Sequence, residues 1–177
     1  MPNYQAFKIL SMLKIKIADT ENIPTIVDIA YKTWFTTYKN VISQEQIDFM
    51  FGEMYTPEAI FKQMEFLKHR FLIIYSDDAP LGFASFSEII EVEPKTYKLH
   101  KLYLLPESQG KNIGSQLIAE VEKIAKNENA EYLILNVNRN NSAYHFYLKK
   151  GYLVRETVDI PFAEFVLNDY VMEKKLN

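Results

Sequence analysis

Leu13, Ile15 and Ile17 alternate with Lys14 and Lys16, a period of two that predicts a half-buried strand near the start of the chain. Past the polar turn Asp19 to Asn22 the spacing changes. Ile26, Ile29, Ala30, Thr33, Trp34 and Tyr38 recur at helical intervals and predict a first helix. Ser43 opens a second helical stretch, and Thr56 followed by Pro57 pairs an N-cap hydroxyl with a helix-starting proline, so a third begins there. Phe71 to Tyr75 and the run from Leu81 flank the turn Asp77 to Pro80 and predict an antiparallel hairpin. Thr96 to Leu105 is the next strand.

From Ile113 the apolar positions Leu117, Ile118, Val121, Ile124 and Ala125 share one helix face, with Glu120, Glu122, Lys123 and Lys126 away from it. The run Tyr132 to Val137 is close to continuously apolar, as a central strand covered on both faces would be. Asn140 or Asn141 caps a further helix through Lys150, ended by a left-handed Gly151. LVRETV and FVLNDYVME are two closing strands. This order predicts an α/β chain with a mixed sheet, in which Leu105 to Val137 forms a parallel crossover. The domain is expected over residues 12–177, after an extension at residues 1–11.

A length of 177 residues suits one domain, and 48% hydrophobic content with no polar low-complexity tract predicts that the chain folds throughout. A net charge of −3 and a pI near 5.7 leave no basic footprint for nucleic acid. The absence of cysteine removes disulfides, thiolate metal sites and an acyl-cysteine intermediate together. No His and carboxylate spacing points to a metal. No segment approaches the roughly 18 apolar residues of a membrane span, so a cytoplasmic protein without membrane contact is expected.

Candidate chemistry begins at LPESQGKNIGSQL, Leu105 to Leu117, where a strand meets a glycine-containing loop and then the amphipathic helix. A helix N-terminus presents unpaired N–H groups and partial positive charge, and Gly110 and Gly114 let an anion approach the backbone. Asn112 is one of the few non-glycine types that adopt positive φ. QGKNIG matches neither the Walker loop nor the dinucleotide fingerprint. A plain strand-to-helix turn is the competing reading of the loop by itself.

Gln109, Gly110, Lys111, Asn112, Ile113 and Gly114 form a [QR]xxGx[GA]-type loop, and Asn140, Ala143, Phe146, Tyr147, Gly151 and Tyr152 follow in the pattern NxxAxxFYxxxGF. Together they resemble the GNAT superfamily of acyl-CoA-dependent N-acyltransferases, over about Leu13 to Leu176. WFTTYKNVISQEQ, HKLYLLPE and NDYVMEK are most similar to its polyamine N-acetyltransferase branch. Asn112 stands where that family usually has Gly, and Tyr152 where it has Phe.

The resemblance implies a central sheet of about seven strands with helices on both faces, and acetyl-CoA as co-substrate with no metal. It implies that Leu102, Tyr103 and Leu104 form the strand that meets the pantetheine arm, with the Leu104 N–H donating to the thioester carbonyl. Loss of one such donor typically costs about 3 kcal/mol of barrier. Gln109 to Gly114 would take the pyrophosphate through their N–H groups, Lys111 adding charge and Ser115 a hydroxyl. Asn140 would hydrogen-bond the cofactor, and Tyr147 would protonate the leaving thiolate. Simple helix packing remains the alternative for Tyr147, and a helix cap for Asn140.

For the base, period-two alternation puts His100 on the face of Leu102 and Leu104, and an imidazole titrates near neutrality. Glu88, acting through a water, is the alternative, while His69 and His145 read as surface residues. Asp77, Asp78, Glu88, Glu91 and Glu93 read as an acidic cluster that attracts a small amine, possible polyamines included; solvated loop charges are the competing reading. A non-catalytic acyl-CoA sensor and a protein N-acetyltransferase stay open on the sequence. The apolar closing strands suggest a homodimer.

Overall fold

The computed structural model describes residues 13–176. The extension expected at residues 1–11, and the domain's expected first and last residues, lie outside them. Seven strands form one sheet: β1 (Leu13–Ala18), β2 (Arg70–Ser76), β3 (Ala79–Glu88), β4 (Thr96–Leu104), β5 (Tyr132–Asn138), β6 (Leu153–Phe162) and β7 (Phe165–Lys175), in the order β1-β2-β3-β4-β5-β7-β6. Among the described residues only β4 and β5 run parallel. The α-helices among the described residues are α1 (Ile23–Tyr38), α2 (Gln44–Met54), α3 (Pro57–Glu65), α4 (Ile113–Asn127) and α5 (Ala143–Lys149).

Local chemistry places the helix starts where the sequence predicts them. The Ser43 hydroxyl accepts from the Gln46 N–H at 3.2 Å, and that of Thr56 from the Ala59 N–H at 3.2 Å, so each satisfies an amide the helix cannot. Gly151 ends α5 with φ +86°.

Each face of the sheet carries its own core. On the first, Leu117, Ile118 and Val121 of α4 and Tyr147 of α5 pack on Leu99, Leu133 and Leu135. On the second, Ile26, Ile29 and Trp34 of α1, with Ile47 of α2 and Ile60 of α3, cover Phe71, Ile73 and Phe83. This second layer stops short of β5. Leu133, Leu135 and Val137 are buried on the first face, but Tyr132, Ile134 and Asn136 on the second are only half-buried. The expectation of a strand covered on both faces therefore fails for β5. Its second face is left facing a cleft, and the β6–β7 hairpin tip reaches α2, where Phe162 and Phe165 meet Phe49.

Candidate active site

The parallel ladder between β4 and β5 runs from Thr96↔Tyr132 to Leu99↔Leu135 and stops. Beyond it the strands part while each keeps its outer neighbour, β3 or β7. A fork results.

Register determines which backbone groups face into it. The Leu105 N–H donates to the Leu81 carbonyl at 2.9 Å, so by the alternation of antiparallel pairs Tyr103 and Phe83 are also a hydrogen-bonded pair. Leu102 and Leu104, opposite Ala84 and Gly82, must then turn their N–H and C=O groups away from β3 and into the fork. The Leu104 carbonyl is taken by the Gln109 side-chain amide at 3.3 Å, which leaves the Leu104 N–H as the open donor.

A cleft of about 850 Å³ fills the fork. Its mouth is the loop from Gln109 to Ser115. Gly110 and Asn112 both adopt the left-handed region, at φ +72° and +63°, and Asn112 is the N-cap residue of α4 with its side chain exposed. The N–H groups of Gly110 to Ser115 find no acceptor among the described residues, and the first amide to be satisfied is that of Gln116, by the Asn112 carbonyl at 3.3 Å. Gly114 is held by close approach. A Cβ there would stand 3.1 Å from Leu104 Cδ1 and 3.6 Å from Phe146 Cζ. Consecutive free amides at the start of a fifteen-residue helix suit an anion such as a pyrophosphate. Lys111 is exposed at the loop tip and does not line the cleft.

Tyr147 is buried at the inner end of the cleft, against Phe146 and Tyr152. Burial, and secondarily Tyr38, push its hydroxyl above the ordinary phenol range, so it holds its proton at any physiological pH. That suits an acid.

The base expectations do not survive the geometry. Ser85 pairs with Lys101 but Phe86 with Leu99, so His100 is the extra residue of a β-bulge. The bulge breaks the alternation: Leu102 stays on the first face, while His100 turns to the second, its ring stacked on His69 at 3.8 Å and its Nε2 2.8 Å from the Ser87 hydroxyl. Burial, then His69, Lys101 and Lys98, push its pKa down to about 2. An imidazole so reluctant to take a proton is a poor general base. His69 is half-buried rather than a surface residue, with its own pKa lowered to about 4, mainly by burial; His145 is exposed. Glu88 pairs with Lys95 at 3.2 Å, outside the cleft.

Two further expectations are corrected. Asn140 is exposed and off the cleft wall, whereas Asn141 lines it and accepts from the Ala143 N–H at 2.9 Å. The expected acidic cluster is divided. Asp77 and Asp78 turn at one end of β3 and Glu88 to Glu93 stand at the other, and a ten-residue strand spans roughly 30 Å. None of these five lines the cleft. What sequence reading missed is the second-face wall, formed by Thr33, Thr36, Thr37 and Tyr38 of α1 with Asn136 of β5. The helical period marked Thr33 and Tyr38 as packing positions, and nothing local showed that β5 would be left uncovered opposite them.

The description "Acetyltransferase (GNAT) family" matches residues 32–152. This chain belongs to that family. A spermidine N(1)-acetyltransferase of Thermoplasma acidophilum is 30% identical over 168 residues, which span 92% of this chain and 97% of that protein. The crystal structure of the PaiA N-acetyltransferase of the same organism, in complex with coenzyme A, superposes with a TM-score of 0.77 at 31% identity, covering 92% of this chain and 98% of that one. A ribosomal-protein-alanine N-acetyltransferase from Brucella melitensis shares the fold at a TM-score of 0.67 and 20% identity, covering 92% and 99%. The GNAT sheet is thus common to proteins named for very different acceptors. The chain is an N-acetyltransferase of this family, with the mixed seven-stranded sheet expected of it.

Proposed function

We propose that the chain transfers the acetyl group of acetyl-CoA to a primary amine by direct attack, and that the acceptor is a small polyamine of the spermidine type. The observation that carries the transfer is the fork itself, which gathers Leu104 with its open N–H, the loop of free amides from Gly110 to Ser115 and the buried Tyr147 around one cleft. An extended pantetheine arm can pair with Leu102 and Leu104 as an added strand, its pyrophosphate on the loop amides. The Leu104 N–H then meets the thioester oxygen where negative charge develops. Tyr147 supplies the proton for the departing thiolate.

The polyamine acceptor rests on the full-length similarity to a spermidine N(1)-acetyltransferase. The test is thiol release from acetyl-CoA across spermidine, spermine, small amino acids and peptides, with wild type and Tyr147→Phe. Turnover of spermidine, lowered about 100-fold or more in kcat by Tyr147→Phe with coenzyme A affinity kept, is the expected result. Turnover of peptides or amino acids alone would overturn the acceptor. Thiol release by Tyr147→Phe at the wild-type rate would overturn the acid.

A further inference from the structure

One carboxylate that no role above uses stands behind the second-face wall of the fork, joined to the cleft lining through Asn136. Asp169 lies on β7 opposite Asn138 of β5 and is 9% exposed. Its Oδ2 accepts only a long hydrogen bond, 3.4 Å, from the side-chain amide of Asn136, the residue just past the last β4–β5 pair. Asn136 lines the cleft, as does Tyr38, whose hydroxyl feels the Asp169 charge. The register fixes the side. Leu135 and Met172 pair on the first face, with Tyr147, so Asn138 and Asp169, three residues along on each strand, project from the second.

Charged and titratable groups act on Asp169 from three directions. Lys98 projects from β4, Arg139 follows β5, and Tyr38 reaches in from α1. Arg139 is engaged by Asp159, and neither it nor Lys98 forms an ion pair with Asp169 among the described residues. Burial raises the Asp169 carboxyl above the usual carboxylate range, against the Asn136 hydrogen bond and the pull of Lys98 and Arg139. A buried carboxylate with one weak partner is costly to hold in a fold unless a cation completes it.

We propose that Asp169, reached past the weakly bonded Asn136 side chain, receives the acceptor's ammonium group on the face of the fork opposite Tyr147 and takes the proton that group must lose. This deepens the N-acetyltransferase reading and rests on it. The ammonium gives one proton to the Asp169 carboxylate, which passes it to solvent. The free amine then forms the C–N bond at the acetyl carbon while the C–S bond breaks. Tyr147 protonates the thiolate, the new nitrogen returns its second proton through Asp169, and Tyr147 is reprotonated in turn. One proton is released for each amide formed. Acid and base thus work from opposite faces of the sheet at one vertex.

Asp169→Asn and Asp169→Glu test this, with spermidine as the amine. At pH 7 Asp169→Asn should lose at least 100-fold in kcat/KM, and Asp169→Glu should recover part of it. The pH profile separates chemistry from structure. Wild type should flatten above its acid limb, whereas Asp169→Asn, dependent on amine already deprotonated, should gain tenfold per pH unit toward the amine's own pKa. A second readout is spermidine binding by calorimetry to the protein loaded with coenzyme A, which Asp169→Asn should abolish. If wild type turns over spermidine and Asp169→Asn matches it with the same profile, the proposal is overturned while the transferase reading stands. If wild type shows no turnover but binds spermidine through Asp169, the ammonium site stands and the reading of spermidine as acetyl acceptor falls. Absence of both turnover and binding overturns the two together.

Discussion

Leu99 and Leu135 are the last partners of the one parallel strand pair among the described residues, and the cleft opens just past them. His100 follows Leu99 as a bulge, and Asn136 follows Leu135 as the amide that holds Asp169. The bulge adds twist and bends β4 away from its neighbour, which is how one extra residue opens a gap wide enough for a ligand strand. Edges left this way carry unpaired N–H and C=O groups, a defect in a core and a docking surface in a cleft.

Asn112 should be replaceable by glycine and not by a branched residue. Its φ of +63° is a conformation glycine adopts freely and a β-branched residue resists. Asn112→Val should cost about 1–2 kcal/mol of stability and weaken coenzyme A binding, since the strained residue would distort the six free amides around it. Asn112→Gly should stay within about 0.5 kcal/mol of wild type with affinity retained. Urea unfolding and calorimetric titration of coenzyme A measure both. Equal behaviour of the two variants would remove the left-handed conformation from the argument.

His100→Gln should leave the shape of the activity–pH profile intact. The wild-type imidazole is pushed to about 2 and is neutral wherever the enzyme would be assayed, so no limb of the profile can belong to it. An amide in its place can still reach the Ser87 hydroxyl, now 2.8 Å from Nε2, while the stack on His69 is lost. A fall in kcat/KM below about fivefold is expected, with a lower thermal midpoint. Disappearance of an acid limb in this variant would return the base role to His100.

Much of the fold was legible because periodicity and caps act locally. Ser43, Thr56 and Gly151 terminate helices by chemistry contained in a few residues, and the α4 stripe from Leu117 to Ala125 declares its own buried face. The left-handed turn at Asn112 that opens α4 was legible for the same reason. His100 was misplaced because a bulge is a register event between β3 and β4, and alternation read along one strand cannot register an inserted residue. The Asp77 to Glu93 acids were grouped by sequence distance, although an extended β3 separates them. Asn141 for Asn140 is a one-residue boundary error at a helix start. Asp169 had no signal at all, since its isolation depends on how far α1 reaches across the sheet.

Lys101 should make the protein more stable as the pH rises from about 8 to 10. Its ammonium is buried, bonded to Gln63 Oε1 at 2.7 Å and 5.5 Å from the Tyr55 ring centroid, and burial lowers its pKa to about 8. An unfolded lysine titrates near 10.4, so between those values the unfolded chain binds more protons than the folded one. Stability therefore climbs through that window, by up to about 3 kcal/mol if the burial is fully felt. Above about pH 10 the buried tyrosines act in the other direction. Tyr55, Tyr103 and Tyr147 all have raised folded values, so they resist ionising in the fold and favour the unfolded chain once its phenols begin to ionise. Urea midpoints at pH 7, 8, 9 and 10 measure the climb, and Lys101→Met should flatten it. A midpoint that falls across the same window in wild type would contradict a buried ammonium.

Asp169→Asn should stabilise the protein while disabling it. The Asp169 carboxyl is raised mainly by burial, so the folded state favours its protonated form. The sign follows from linkage: that contribution is full below the unfolded carboxyl pKa and is lost as the pH rises through the folded one, leaving a cost at neutrality. An amide of the same shape carries no charge to bury, and it keeps a polar partner for Asn136. A thermal midpoint at or above that of wild type at pH 7, converging with it as the pH falls toward 4, is the expected result by differential scanning calorimetry. A group retained at a cost to stability is one the fold keeps for another reason, as sites for charged substrates commonly do. A lower midpoint at pH 7 would mean that Asp169 anchors β7 to β5 and would make its effect on activity structural.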